Sequence, residues 1–240
     1  MRTLLALVLV VAAGAATPED KKDPAKKETP KLPPREGKTE TIKLFDGKTL
    51  EGWEGYADLW SVNDEGSIVC KNKDELKFST YLVTKNKYTD FRLTFSCKLL
   101  KGSEMHSGVA FWGVLKPDVS KDPEKDRTKY TYAGHLVMFP SGYGMYDLFG
   151  RGGLPVDGKP AQKVGKQHDW NEIEVLAQGN RVRVAVNGTA VVDWYDPKPD
   201  VIKEGPIGLQ LHSLKDPQEL HWKGLVLETF PKEDKLITVK

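Results

Sequence analysis

Residues 181–194 read RVRVAVNGTAVVDW, and two short β-branched runs meet there across Asn187-Gly188. Asn-Gly accepts the positive φ angles of a tight type I′ turn, whose twist matches that of paired strands, so a β-hairpin is expected. Asn187-Gly188-Thr189 also fits a glycosylation sequon, but the turn already accounts for the asparagine. Upstream, Phe91, Leu93, Phe95, Cys97 and Leu99 alternate with Arg92, Thr94, Ser96 and Lys98, the two-residue period of a strand with one buried face. Similar short runs occur at residues 81–84, 109–115, 135–139, 172–176, 182–186, 207–212 and 225–229. Glycine and proline punctuate them, and neither a helical period nor a fixed internal repeat emerges. The expected class is all-β, an antiparallel β-sandwich. The charged stretch KPDVSKDPEKDRTK, residues 116–129, reads as an exposed loop between two strands.

The chain has 240 residues, enough for one sizeable core with appendages. Its 36 Lys and Arg against 34 Asp and Glu give a net charge of +2, too little of one sign to steer a polyanion, so a nucleic-acid partner is not expected. The apolar run at residues 4–13 is far shorter than the roughly 20 residues of a membrane span. With Arg2 before it and Gly14, Ala15 and Ala16 after it, residues 1–16 have the parts of a signal peptide, and the protein is expected to be exported, periplasmic or extracellular. No Cys follows the run, which argues against a lipid anchor. Residues 17–40 are dominated by Lys, Pro, Glu and Asp and read as a disordered, extended linker with too little apolar surface to offset ordering. The sandwich domain then occupies residues 41–240 and holds equal numbers of basic and acidic residues.

Cys70 and Cys97 both lie in apolar, strand-like surroundings. Export would permit a disulfide between them; two buried free thiols are the alternative. Neither has the positive neighbour or helix N-terminus that would make it a nucleophile. The sequence lacks G-x-S-x-G, H-E-x-x-H, Cys-x-x-Cys and a P-loop. The Gly-rich residues 141–160 have no Gly-Lys-Ser/Thr ending and read as turns in a long loop.

LFDGKTLEGW at residues 44–53 resembles the opening motif of the secreted bacterial 3-keto-disaccharide hydrolase family. The likeness continues through HSGVAF (106–111), DWNE (169–172), QGN (178–180) leading to VNG (186–188), and GPIGLQLH (205–212). The resemblance implies a concanavalin-like jelly-roll whose concave face holds a glycoside already oxidised at C3. A ketone at C3 acidifies the C2 proton, so a base can form an enolate that expels the C1 substituent, after which water adds. Such chemistry needs a base, an acid for the leaving oxygen, and a divalent metal or cationic donor for the enolate oxygen.

Alternation selects side chains for that face. Ile207, Leu209 and Leu211 should point into the core, leaving Gln210 and His212 outside; His106 and Trp112 fall on one side of their strand. Lys223 stands where the family usually has Arg and would supply a cation. Tyr146 and Asp147, with Tyr143, would add an aromatic platform and a carboxylate. The chain also departs from the family pattern. Trp112 replaces a common Arg, and GHLVM at residues 134–138 stands where the family reads G-Y-E-V-Q. Two readings follow. One is a divergent hydrolase or lyase with His212, His106 or His135 as the catalytic set. The other is a non-catalytic carbohydrate-binding module using Trp112, Tyr146, Gln210 and Lys223.

Overall fold

The computed structural model describes residues 28–100, 107–139, 144–153 and 155–240. The expected signal peptide, the first part of the linker, His106 and Tyr143 lie outside the described residues. In chain order the strands are β1 (Glu40–Lys43), β2 (Trp53–Glu54), β3 (Trp60–Val62), β4 (Ile68–Asn72), β5 (Thr80–Thr84), β6 (Phe91–Leu99) and β7 (Ser107–Leu115). They continue with β8 (Tyr132–Phe139), β9 (Met145–Asp147), β10 (Asn171–Gln178), β11 (Arg181–Val186), β12 (Thr189–Tyr195), β13 (Gly208–Leu211) and β14 (Gln218–Thr229). A short α-helix, α1 (Lys159–Val164), follows β9, and a 3-10 turn spans Pro199–Val201.

Two antiparallel sheets form a jelly-roll sandwich. The eight-stranded sheet runs β12-β11-β10-β6-β14-β4-β3, with β1 also on β14; the six-stranded sheet runs β2-β5-β13-β7-β8-β9. Asn187 and Gly188 have φ of 49° and 81° and join Val186 to Thr189, the expected hairpin. Phe91, Leu93, Phe95 and Leu99 of one sheet bury against Val109, Phe111, Val137 and Phe139 of the other. Ring pairs Phe91–Phe111 and Phe95–Phe139, with centroids 5.5 and 5.3 Å apart, knit the layers. Residues 116–129 form the expected loop between β7 and β8, pinned where the Tyr56 hydroxyl donates to the Pro123 carbonyl.

Cys70 and Cys97 are free and buried. They face Leu220 and Trp222 from opposite sides of β14, so an intervening strand separates them by about 9–10 Å, beyond disulfide reach. Burial pushes the Cys70 thiol up to about 12 and the Cys97 thiol up as well.

The later part of the expected linker is not a spacer. The Leu32 amide donates to Asn180 Oδ1, the Asn180 amide donates to the Pro30 carbonyl, and Arg35 pairs with buried Asp90 at 2.7 Å. Gly179 permits the close approach: a Cβ there would lie 2.3 Å from the Leu32 carbonyl oxygen. Residues 30–35 add no buried apolar side chain to the core, yet they satisfy polar groups that the domain buries. The other end of the chain also returns over the eight-stranded sheet, where Ile237 and Thr238 donate to Glu174.

Candidate functional site

The six-stranded sheet carries apolar residues on both faces. Leu82, Val109, Val137 and Leu209 enter the core between the sheets, whereas Tyr81, Val83, Ala110, Tyr132, Leu136 and Met138 form a second buried cluster on the outer face. Gly108 and Gly208 make room for it: a Cβ on Gly108 would lie 2.5 Å from the Leu136 side chain, and one on Gly208 3.2 Å from the Tyr81 ring.

A few polar groups break this surface. The Gln210 side-chain amide donates to the Tyr81 oxygen at 3.1 Å, while Gln210 Oε1 is buried and has no hydrogen-bond partner. The Ser107 hydroxyl fixes the strand by donating to the Gln210 carbonyl at 2.6 Å. Burial pushes the Tyr81 and Tyr132 phenols well above their ordinary value, so both stay protonated. His212 directly follows Leu211, the last residue of β13, and is half-buried, with Nδ1 2.6 Å from the Ser213 carbonyl. Donation from Nδ1 makes Nε2 the basic nitrogen, and burial lowers the imidazole pKa and favours the neutral ring.

Beside this face, along strands β2 and β5, lie two adjoining cavities. One of about 570 Å³ is lined by Trp53, Trp60, Tyr130, Lys85 and Lys129 among others, and one of about 300 Å³ by Val83, Lys87, Leu115 and Pro206. Glu54 and Lys85 border both. Aromatic walls with charged rims suit a saccharide, which presents apolar ring faces and polar edges.

The profile of the 3-keto-alpha-glucoside-1,2-lyase-like domain matches residues 40–228, from the first residue of β1 almost to the end of β14. The chain belongs to the 3-keto-alpha-glucoside-1,2-lyase-like family. A candidate glycosyl hydrolase from Parabacteroides distasonis ATCC 8503 shares the fold with a TM-score of 0.56 at 19% identity, over 80% of this chain and 94% of that one. A second structure of that description from the same organism gives 0.55 at 21%, over 79% and 99%. A glycosidic hydrolase gives 0.53 at 10%, over 81% and 96%. At these identities the likeness speaks for the sandwich alone. No curated protein matches the sequence. Family membership makes the function carbohydrate-related.

In this 3-keto-alpha-glucoside-1,2-lyase-like domain the residues singled out by sequence fall into separate places. Gln210 lies on the outer side of β13, bonded to Tyr81, His212 comes directly after the strand, and Tyr146, 39% exposed, pairs with Leu136 of the same outer cluster. Trp112 does not join them. A bulge between Phe111 and Val114 and a φ of 55° turn its indole into the core, where Nε1 donates to the Thr89 carbonyl. Lys223 belongs to the other sheet: Trp222 points into the core, so Lys223 points away from it, its ammonium 4.0 Å from the Trp170 ring centroid.

His135 and Asp147 are directly opposed on β8 and β9 and are buried. His135 is ringed by Phe111, Trp112, Phe149 and Trp194, and its Nε2 lies 2.8 Å from Asp196 Oδ2. Arg151 bridges Asp147 at 2.6 Å and Asp196 at 2.9 Å. Burial raises the Asp196 pKa, but the adjacent His135 ring and donation from Arg151 outweigh it and hold the carboxyl at about 2. Because Asp196 follows β12 of the eight-stranded sheet, the cluster fastens one layer to the other. Among the described residues no group of three His, Cys, Asp or Glu side chains could hold a metal, so no step is assigned to one. Tyr81 and Tyr132 escaped the sequence reading, although Tyr81 opens one of its alternating runs.

Proposed function

We propose that the outer face of the six-stranded sheet binds a glycoside oxidised at C3 and cleaves its glycosidic bond. The Tyr81–Gln210 pair carries this reading: a polar couple built into an apolar surface, with one buried acceptor left for a ligand hydroxyl. His212 takes the C2 proton. The enolate oxygen at C3 accepts the remaining Gln210 N–H, and collapse of the enolate expels the C1 substituent, whose oxygen takes the Tyr81 proton. Water then adds across the new C1–C2 double bond in a hydrolase, whereas a lyase releases the unsaturated ketone.

Incubation of the protein with 3-keto-glucosides should release the C1 substituent, and His212→Ala should slow release at least about a hundredfold. No release by the wild type, or undiminished release by the variant, overturns the assignment. The cavity walled by Trp53, Trp60 and Tyr130 favours a second reading, saccharide binding without turnover. Saturable quenching of tryptophan fluorescence by a glycan that is never cleaved would select it.

Export belongs to the same proposal, supported by the charged start, apolar run and small-residue exit of residues 1–16. The mature protein should begin close to Thr17 on N-terminal sequencing, and an intact Met1 on exported protein would overturn cleavage there.

A further inference from the structure

On the far side of the sandwich, a cavity of about 330 Å³ opens between the two ends of the chain, with Leu32 to Pro34 on one side and Asp234 on the other. Its floor is the outer face of β10 and β11. Arg183 lines it at 6% exposure. Of the five N–H donors of this guanidinium, Nη2 donates to Gln178 Oε1, while Nε is buried and has no partner.

The natural counter-ion is taken. Asp193 stands directly across the ladder from Arg183, but both of its oxygens accept from Arg181, each at 2.7 Å. Among the described residues that line the cavity, Lys31, Arg181 and Arg183 are the cations and Asp234 the carboxylate, with Asp193 engaged by Arg181 beside them. Burial, reinforced by the charge of Arg181, lowers the Arg183 pKa against the opposing pull of Asp234 and Asp193.

We propose that this cavity is a second ligand site, distinct from the outer face of the six-stranded sheet, and that it receives the carboxylate of a single-ring acid of the uronic acid class. The edge of a guanidinium offers parallel donors at carboxylate spacing, which makes Arg183 a bidentate receptor. Leu32, Pro33 and Pro34 form an apolar wall for the ring, and the volume is at the small end of ligand cavities. Such a ligand would also tie residues 31–34 to the sheet.

Glucuronate, galacturonate, acetate and sulfate should be titrated into the whole chain at low ionic strength, by calorimetry and by NMR of the arginine Nε–H signals. The uronates should saturate, move the Arg183 Nε–H resonance, and bind at least about tenfold more weakly to Arg183→Lys, which keeps the charge but loses the fork. Acetate saturating as tightly as the uronates would assign the recognition to the carboxylate alone, still at this site. No saturable shift in the wild type overturns the proposal, as does uronate binding that Arg183→Lys leaves unchanged. The wild-type NMR titration decides the matter even if the variant fails to fold.

Discussion

Replacing Arg92 with Met should lower the free energy of unfolding by about 3–5 kcal/mol, the range for removing one partner of a buried ion pair. Arg92 is 5% exposed and Glu174 is fully buried, on adjacent strands, with Arg92 Nε 3.0 Å from Glu174 Oε1. Arg92 also reaches Glu228 at 2.6 Å and donates to the carbonyls of Glu233 and Lys235. Glu174 accepts from the amides of Ile237 and Thr238 and from the Thr238 hydroxyl. The pair is therefore the clasp for the last residues of the chain, and its loss strands a carboxylate inside the protein. Denaturant unfolding gives the free energy, and hydrogen exchange over residues 233–240 should rise in parallel. The double variant Arg92→Met/Glu174→Leu should recover much of the loss, since the uncompensated charge goes with its partner. A variant as stable as the wild type would show that the clasp contributes nothing net.

The second large effect is expected at Asp196, where Ala should cost about 3 kcal/mol by taking the buried carboxylate from beside His135 and removing the acceptor of two Arg151 hydrogen bonds. Asn at this position, nearly the same shape without the charge, isolates the pH dependence. The folded-state pKa of Asp196 lies at about 2, below the ordinary value of 3.8, so its carboxylate contributes stability that is fully present above pH 4. That contribution disappears as pH falls from 4 toward 2. The stability gap between wild type and Asp196→Asn should therefore be widest near pH 5 and narrow steadily on acidification. Thermal unfolding from pH 5 to pH 2 measures the gap, and a constant one would assign the low-pH loss to other carboxylates.

Alternation served well wherever a strand keeps its pleat and one face is apolar. Ile207, Leu209 and Leu211 went inward and Gln210 outward because nothing interrupts β13. Trp112 defeated the same reasoning through a single bulge, which the sequence marks only by Gly113; a Cβ there would lie 1.9 Å from the Ala133 carbonyl oxygen. His135 was ambiguous for another reason. Its neighbours Leu136 and Met138 are as apolar as Val137 and Phe139, so both faces of β8 look like a core, and both are buried. Lys223 shows a limit of register: a period of two gives the side of a strand but not the sheet it joins. Residues 17–40 read as a disordered linker because they offer little apolar surface, yet residues 30–35 are tied to the domain. What holds them is the polar demand of Asp90, Gly179 and Asn180, residues far along the chain whose partners no local pattern announces.

Residues 30–35 are held by Asn180 and Asp90, and residues 237–238 by Glu174 of β10. Two segments far apart in sequence thus brace the eight-stranded sheet, while Tyr81 and Gln210 belong to the other layer. Loosening either brace should therefore soften the sheet behind the core and leave the face proposed to meet saccharides in place.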